Sequence, residues 1–199
     1  MEKQYKVLTL YIALDGIEPP IWRRIAVDGD MTLRGLHHVI QAAFGWTDAH
    51  LHEFIVEEQT YAMLDNEDVL DTIEEIDQIP QDDRKAKLQR LAYPGQLFTY
   101  LYDFGDDWTH VIKVEKIESR PEKLASTYIL DGKRAGPPED VGGKPGYEQF
   151  LDAILNKPKS QEGRDYLQWV GGKFDPEAFD RRSANNTLLR MAWNGWGRK

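Results

Sequence analysis

Tyr5-Lys6-Val7-Leu8-Thr9-Leu10-Tyr11-Ile12-Ala13-Leu14 sets Leu8, Leu10, Ile12 and Leu14 at every second position. Side chains alternate across a strand, so this run buries one face against a core. Asp15-Gly16-Ile17-Glu18-Pro19-Pro20 follows as a turn, because Gly admits positive φ and the two prolines have no N–H for a ladder. Alternation resumes over 21–27 with Ile21, Ile25 and Val27 on one side, and the chain opens with a hairpin. Thr32 then stands where a helix N-cap belongs. Leu33, Leu36, Ile40, Ala43 and Phe44 form one stripe behind it, and Gly45 is placed to end the helix. Such a helix lies across the sheet.

Further strands are expected over 51–56, 97–103 and 109–117, the last two joined by Phe104-Gly105-Asp106-Asp107-Trp108. The order is β-β-α-β, an acidic insertion, then β-β. It predicts an α+β fold with a mixed, mainly antiparallel sheet in β-grasp-like order, followed by a helical C-terminal region. In that region Tyr147, Phe150, Leu151, Ile154 and Leu155 make a helical stripe, Ser160 can cap a helix ending at Gly171-Gly172, and Asp175-Pro176 can begin a short one. The expected organisation is one domain over 1–199, with the acidic insertion at 57–90 and the helical part at 146–199.

At 199 residues, with 41% hydrophobic and 30% charged residues, the chain can bury a core without a metal or a disulfide. It has no cysteine, which removes disulfide scaffolds, thiolate metal sites and cysteine nucleophiles. The N-terminus lacks an apolar signal region, and no stretch is long and apolar enough to span a bilayer, so the expected location is the cytoplasm with no membrane partner. The formal charge of −9 disfavours nucleic acid as a partner, but the charge is unevenly spread. Residues 57–83 hold eleven acidic residues and no Lys or Arg; removing them from the chain's 34 leaves 23 acidic against 25 basic. After Asp180 no carboxylate side chain follows, while Arg181, Arg182, Arg190, Trp193 and Trp196 do.

Four segments carry candidate chemistry. The turn Tyr102-Asp103-Phe104-Gly105-Asp106-Asp107-Trp108-Thr109-His110 gathers three carboxylates and an imidazole. These are suited to a divalent metal or to acid–base work, or else to capping a tight turn. Asp48-Ala49-His50-Leu51-His52-Glu53 offers an H-x-H pair which, on a strand, puts both imidazoles on one face. The alternative is two histidines bonded at the rim of the core. His37 and His38 lack a neighbour spaced for ligation. The segment 132–147, with Pro137-Pro138-Glu139-Asp140 and Gly142-Gly143 at its centre, leads into a helix and can present amides to an anion, unless Glu139 or Asp140 satisfies them first. The basic tail can stack Trp193 and Trp196 on bases while Arg181, Arg182 and Arg190 meet phosphate.

Pro19-Pro20-Ile21-Trp22-Arg23-Arg24, Phe44-Gly45-Trp46, His50-Leu51-His52-Glu53-Phe54, the Tyr102–His110 turn and Pro137-Pro138-Glu139-Asp140-Val141-Gly142-Gly143 together resemble the plasmid pRiA4b ORF-3-like family, in order and over nearly the whole chain. The resemblance implies an origin among plasmids, insertion elements and chromosomes, and no established activity. It also implies that His50, His52, Asp103, Asp106, Asp107, Trp108, His110, Glu139 and Asp140 share one surface. Where family members carry cysteines around the Pro-Pro-Glu-Asp block, Gly136 and Val141 stand here, which sets aside a thiol-dependent role. The expected function is a binding or accessory protein for a protein or small ligand. The alternatives are a metal-dependent hydrolase or nuclease whose metal ligands come from His50, His52, Asp106, Asp107 and His110, and nucleic-acid binding through the tail.

Overall fold

The computed structural model describes residues 3–64 and 79–195; the middle of the acidic insertion and Trp196 lie outside these residues. The chain forms β1 (Tyr5–Leu14), β2 (Trp22–Asp28), α1 (Leu33–Phe44), β3 (His52–Val56), β4 (Gln59–Ala62), β5 (Gln81–Asp82), α2 (Leu88–Leu91), β6 (Leu97–Tyr102), β7 (Trp108–Arg120) and β8 (Tyr128–Lys133). Then come α3 (Gly143–Leu151), a π turn (Asp152–Asn156), α4 (Gln161–Trp169) and α5 (Arg181–Trp193). The fold is α+β, with one eight-stranded sheet in the order β5-β4-β3-β6-β7-β1-β2-β8. Every pairing is antiparallel except β4 with β5. Among the described residues no helix is long and apolar enough to cross a membrane.

The opening hairpin forms as its alternation dictates, with Leu8 opposite Val27 and Leu10 opposite Ile25. Thr32 caps α1 by accepting Gly35 N–H at 3.1 Å, and Gly45 ends it in the left-handed region at φ 86°. The stripe Leu33, Leu36 and Ile40 is fully buried in one cluster with Leu8, Leu10, Ile12, Ile25 and Ile112. Burial of each such side chain stabilises the fold by about 2 kcal/mol. Arg23, also buried, fastens the end of α1 to the sheet. Its guanidinium donates to Ala43 O, Lys133 O and Arg134 O at 2.8, 2.9 and 2.9 Å and stacks on Phe44 and Phe179.

Several expectations change. The acidic insertion reads in sequence as one or two surface helices forming a solvated decoration, but its described flanks join the sheet: β4 pairs with β3, β5 extends it, and Asp83 is fully buried. Asp175-Pro176 makes a turn rather than a helix, with Asp175 accepting Glu177 N–H at 3.0 Å, because Asp180 caps α5 only a few residues later. The stripe from Tyr147 loses its last member, since the π turn at 152–156 takes in an extra residue and leaves Leu155 exposed. Helix α5 lies along β8, the outer strand on that side. Its Asn185 accepts Ile129 N–H at 2.7 Å and donates to Ile129 O at 3.0 Å, filling an edge position as a neighbouring strand would.

Candidate functional site

The loop between α1 and β3 is bound at every residue from Trp46 to His50. Trp46 Nε1 donates to Pro137 O at 3.0 Å, and Thr47 donates its N–H and hydroxyl to Glu139 Oε2 at 2.8 and 3.1 Å. Asp48 N–H donates to Gln41 Oε1 at 2.9 Å, Ala49 N–H to Tyr102 Oη at 3.0 Å, and His50 Nε2 bonds Asp140 Oδ1 at 2.8 Å. The other oxygen of Glu139 accepts the Tyr102 hydroxyl at 2.5 Å. Both Glu139 oxygens are therefore spent on joining the Pro-Pro loop to the sheet.

Behind this loop lies a buried histidine pair. His37 and His52 stack in parallel, with ring centroids 3.6 Å apart and planes 8° apart. His37 Nε2 meets Asp48 Oδ1 at 2.6 Å, and its Nδ1 meets the Tyr100 hydroxyl at 2.8 Å. Gln41 Oε1 accepts from Asp48, so its amide nitrogen faces Tyr100 and donates at 3.0 Å. The Tyr100 proton is then free for His37 Nδ1, and His37 Nε2–H donates to Asp48. His38 lies 3.2 Å from the second Asp48 oxygen. His52 Nε2 meets Asp83 Oδ2 at 2.9 Å, and Arg34 Nε donates to the same oxygen at 2.9 Å. Burial lowers His37 to about 3 against the opposing pull of Asp48, and lowers His52 against the opposing pull of Asp83. Both rings are neutral at pH 7.

Towards solvent, His50, Asp103 and Asp140 converge. His50 Nε2 stands 2.8 Å from Asp140 Oδ1 and 3.5 Å from Asp103 Oδ2, and the three donor atoms all lie within 4.8 Å of one another. Each corner comes from a separate segment. Asp103 follows β6 with φ 59°; its Oδ1 accepts Gly105 N–H at 3.0 Å, which leaves Oδ2 for His50. Asp140 also has left-handed backbone, at φ 57°, and a side chain that is 67% exposed. The Tyr102 ring sets His50 edge-on at 5.8 Å. Two carboxylates and an imidazole at these separations match neighbouring corners of a divalent-ion shell with bonds of about 2.0–2.4 Å.

The remaining residues singled out in the sequence lie apart from this triangle. Asp106 accepts Gly142 N–H at 3.0 Å and ties the β6–β7 turn to the Pro-Pro loop. Asp107 accepts the Thr109 hydroxyl at 3.0 Å. His110 is fully buried, shares its Nδ1 with Trp108 O at 2.9 Å, and is lowered to about 3 by burial. Trp108 is core, beside Trp46 and Tyr147. His50 precedes β3 while His52 opens it, so strand alternation does not set the pair on one face, and they take different partners. Arg181 donates to Leu130 O at 2.6 Å, whereas Arg182, Arg190 and Trp193 are exposed. His37 and His38, set aside in the sequence, both reach Asp48. The signal was present: position 37 falls on the same stripe as Leu33, Leu36 and Ile40.

The glycines of the Pro-Pro loop answer to packing. A Cβ on Gly136 would stand 2.1 Å from Phe44 O, and one on Gly143 2.4 Å from Asp106 O. Only glycine lets this loop close on α1 and on the β6–β7 turn.

The chain is 34% identical over 199 aligned residues to the uncharacterized protein y4hQ of Sinorhizobium fredii (strain NBRC 101917 / NGR234), covering 97% of this chain and 95% of the relative. A crystal structure of a protein of unknown function, MM3350 from Methanosarcina mazei Go1, is similar at a TM-score of 0.77 and 34% identity. The likeness covers 92% of this chain and 98% of that one. A family model matches residues 6–183, and the chain belongs to the plasmid pRiA4b ORF-3-like protein family.

Proposed function

We propose that this protein is a binding protein that holds a divalent cation at His50, Asp103 and Asp140 and uses the ion's open positions to capture a ligand. The observation that carries the reading is the convergence of one imidazole and two carboxylates from three separate segments, with Asp103 buried, His50 half-buried and Asp140 exposed at the rim. The loop around them is already fixed by Glu139, Tyr102 and Asp106, so the donors need little ordering when an ion arrives. Three protein donors leave positions for water or ligand on Mn²⁺ or Zn²⁺. A hydrolase drawing on Asp106, Asp107 and His110 has less support, because those side chains are engaged elsewhere. A link to mobile elements is supported by the family's description alone.

Calorimetric titration with Mn²⁺ and Zn²⁺ tests the reading. Wild-type protein is expected to bind one equivalent, and His50→Ala and Asp140→Asn each to weaken it by roughly tenfold or more. Asn retains the left-handed backbone at position 140, so that variant removes charge without refolding the loop. Affinity equal in wild type and both variants would reject the site.

A further inference from the structure

Beside the triangle, the Pro-Pro loop and α4 flank an open hollow of about 600 Å³ lined by Asp140, Val141, Glu162, Asp165, Tyr166 and Trp169. That volume lies within the range of small-molecule sites, roughly 300–1,000 Å³. Its aromatic wall is Trp169, which is 47% exposed although it sits against the core: the fully buried Phe150 meets it edge-on at 6.2 Å, and Tyr166 is tilted against it at 6.2 Å. The indole is thus held by packing while part of its surface stays open to the hollow.

The charge of the hollow has one sign. Among the described residues no Lys or Arg lines it. Glu162 accepts the Gln149 amide at 2.7 Å and Asp165 accepts the Gln161 amide at 2.7 Å. Neutral amides fix the direction of these carboxylates and leave their charge in place. Lys157, whose charge Glu162 favours, is itself held by Asp152 at 2.6 Å. An inorganic cation would gain nothing from Trp169, Tyr166 and Val141. A cation carried on carbon gains both an aromatic face and charge partners.

We infer that this hollow binds an organic cation, an alkylammonium or guanidinium group seated against Trp169 and paired with Glu162 and Asp165. The inference stands apart from the metal reading, because neither acid nor the indole belongs to the triangle and Asp140 alone borders both. The same group is presented by a free polyamine or by the Lys or Arg side chain of a partner, and the test contains both sources.

The chain carries six tryptophans, so ¹⁵N-labelled protein gives an indole signal for each, and Trp169→Phe identifies that of Trp169. Spermidine, agmatine and a short Lys/Arg peptide are titrated in turn at about 0.15 M salt, where loose charge attraction is screened. A saturable shift of the Trp169 signal is expected in wild type, and the affinity, followed for every variant by calorimetric titration, should weaken roughly tenfold in Trp169→Ala and in the double variant Glu162→Gln/Asp165→Asn. It should be retained in Asp103→Asn, which removes a corner of the metal triangle. Saturation by spermidine or agmatine assigns a free cation, and saturation by the peptide alone assigns a partner's side chain; either supports the inference. No saturable shift with any probe, or binding indifferent to Trp169→Ala and to the double variant, overturns it.

Discussion

His37 and His52 are stacked, buried and neutral, and that combination sets how the protein responds to acid. Burial holds both below the ordinary imidazole value of 6.5, and His110 as well. Their protonation therefore favours the unfolded chain: stability is full above about pH 6.5 and falls as pH drops towards the folded-state values. Burial alone would raise Asp48 and Asp83, but hydrogen bonds from His37 and His38, and from His52 and Arg34, hold both below the ordinary carboxylate value. Their contribution is present above about pH 4 and is lost on further acidification, in the same direction. Denaturant unfolding between pH 7 and 5.5 should show a loss of roughly 2.5 kcal/mol from His37 and His110, at up to about 1.4 kcal/mol per pH unit each, with His52 acting in the same direction. A flat profile would mean that they are not held neutral. Asp48, at φ 60°, provides a sharper contrast. Asp48→Ala strands the buried His37 Nε2–H and strains the backbone, at a cost of about 2–4 kcal/mol. Asp48→Asn keeps an acceptor and tolerates the left-handed region, so thermal unfolding should rank it near wild type. None of these pairs was legible in the sequence as a pair. A histidine on an apolar stripe shows that it is buried, but its partner arrives from another segment, as Asp83 does to His52.

At the scale of elements, local signals carried far. Period-two alternation, the Thr32 cap and the Gly45 stop gave β1, β2 and α1 to within a residue or so, because each rests on side chains that act on their own backbone. What failed was non-local. The acidic flank at Gln81–Asp82 becomes a strand only because β4 is there to pair with it. The basic tail lies in the region expected to be helical, but its charge did not show that Asn185 closes the edge of β8. Asn185→Ala leaves both polar groups of Ile129 unpaired and should cost about 1–3 kcal/mol. It should also promote aggregation through the opened edge, read by denaturant unfolding and light scattering. Asn185→Asp keeps the acceptor and loses the donor, and should fall between the two. Truncation before Arg181 is for the same reason a poor test of nucleic-acid binding, since it removes the buried Leu188 and strips the cover from β8. Arg182→Gln/Arg190→Gln tests the exposed charges without that damage.

Across the whole molecule, the blocks that marked the chain in sequence meet at one end of the sheet, and most of them hold that end together. Trp46, Tyr102, Asp106, Glu139 and the glycines at 136 and 143 are tied to one another by hydrogen bonds or by backbone contact. His50, Asp103 and Asp140 are held in place by that clamp and keep their donor atoms within 4.8 Å of one another. The sequence named all three and could not separate them from Asp106 or Glu139, because residue type does not reveal which carboxylate oxygen a neighbouring amide has already taken. The most direct test is anomalous diffraction from crystals soaked in Mn²⁺. The account predicts a peak about 2.0–2.4 Å from His50 Nε2, Asp103 Oδ2 and Asp140 Oδ1, absent from Asp140→Asn crystals. A manganese peak elsewhere in the molecule, with His50 still hydrogen-bonded to Asp140 at full occupancy, would contradict it.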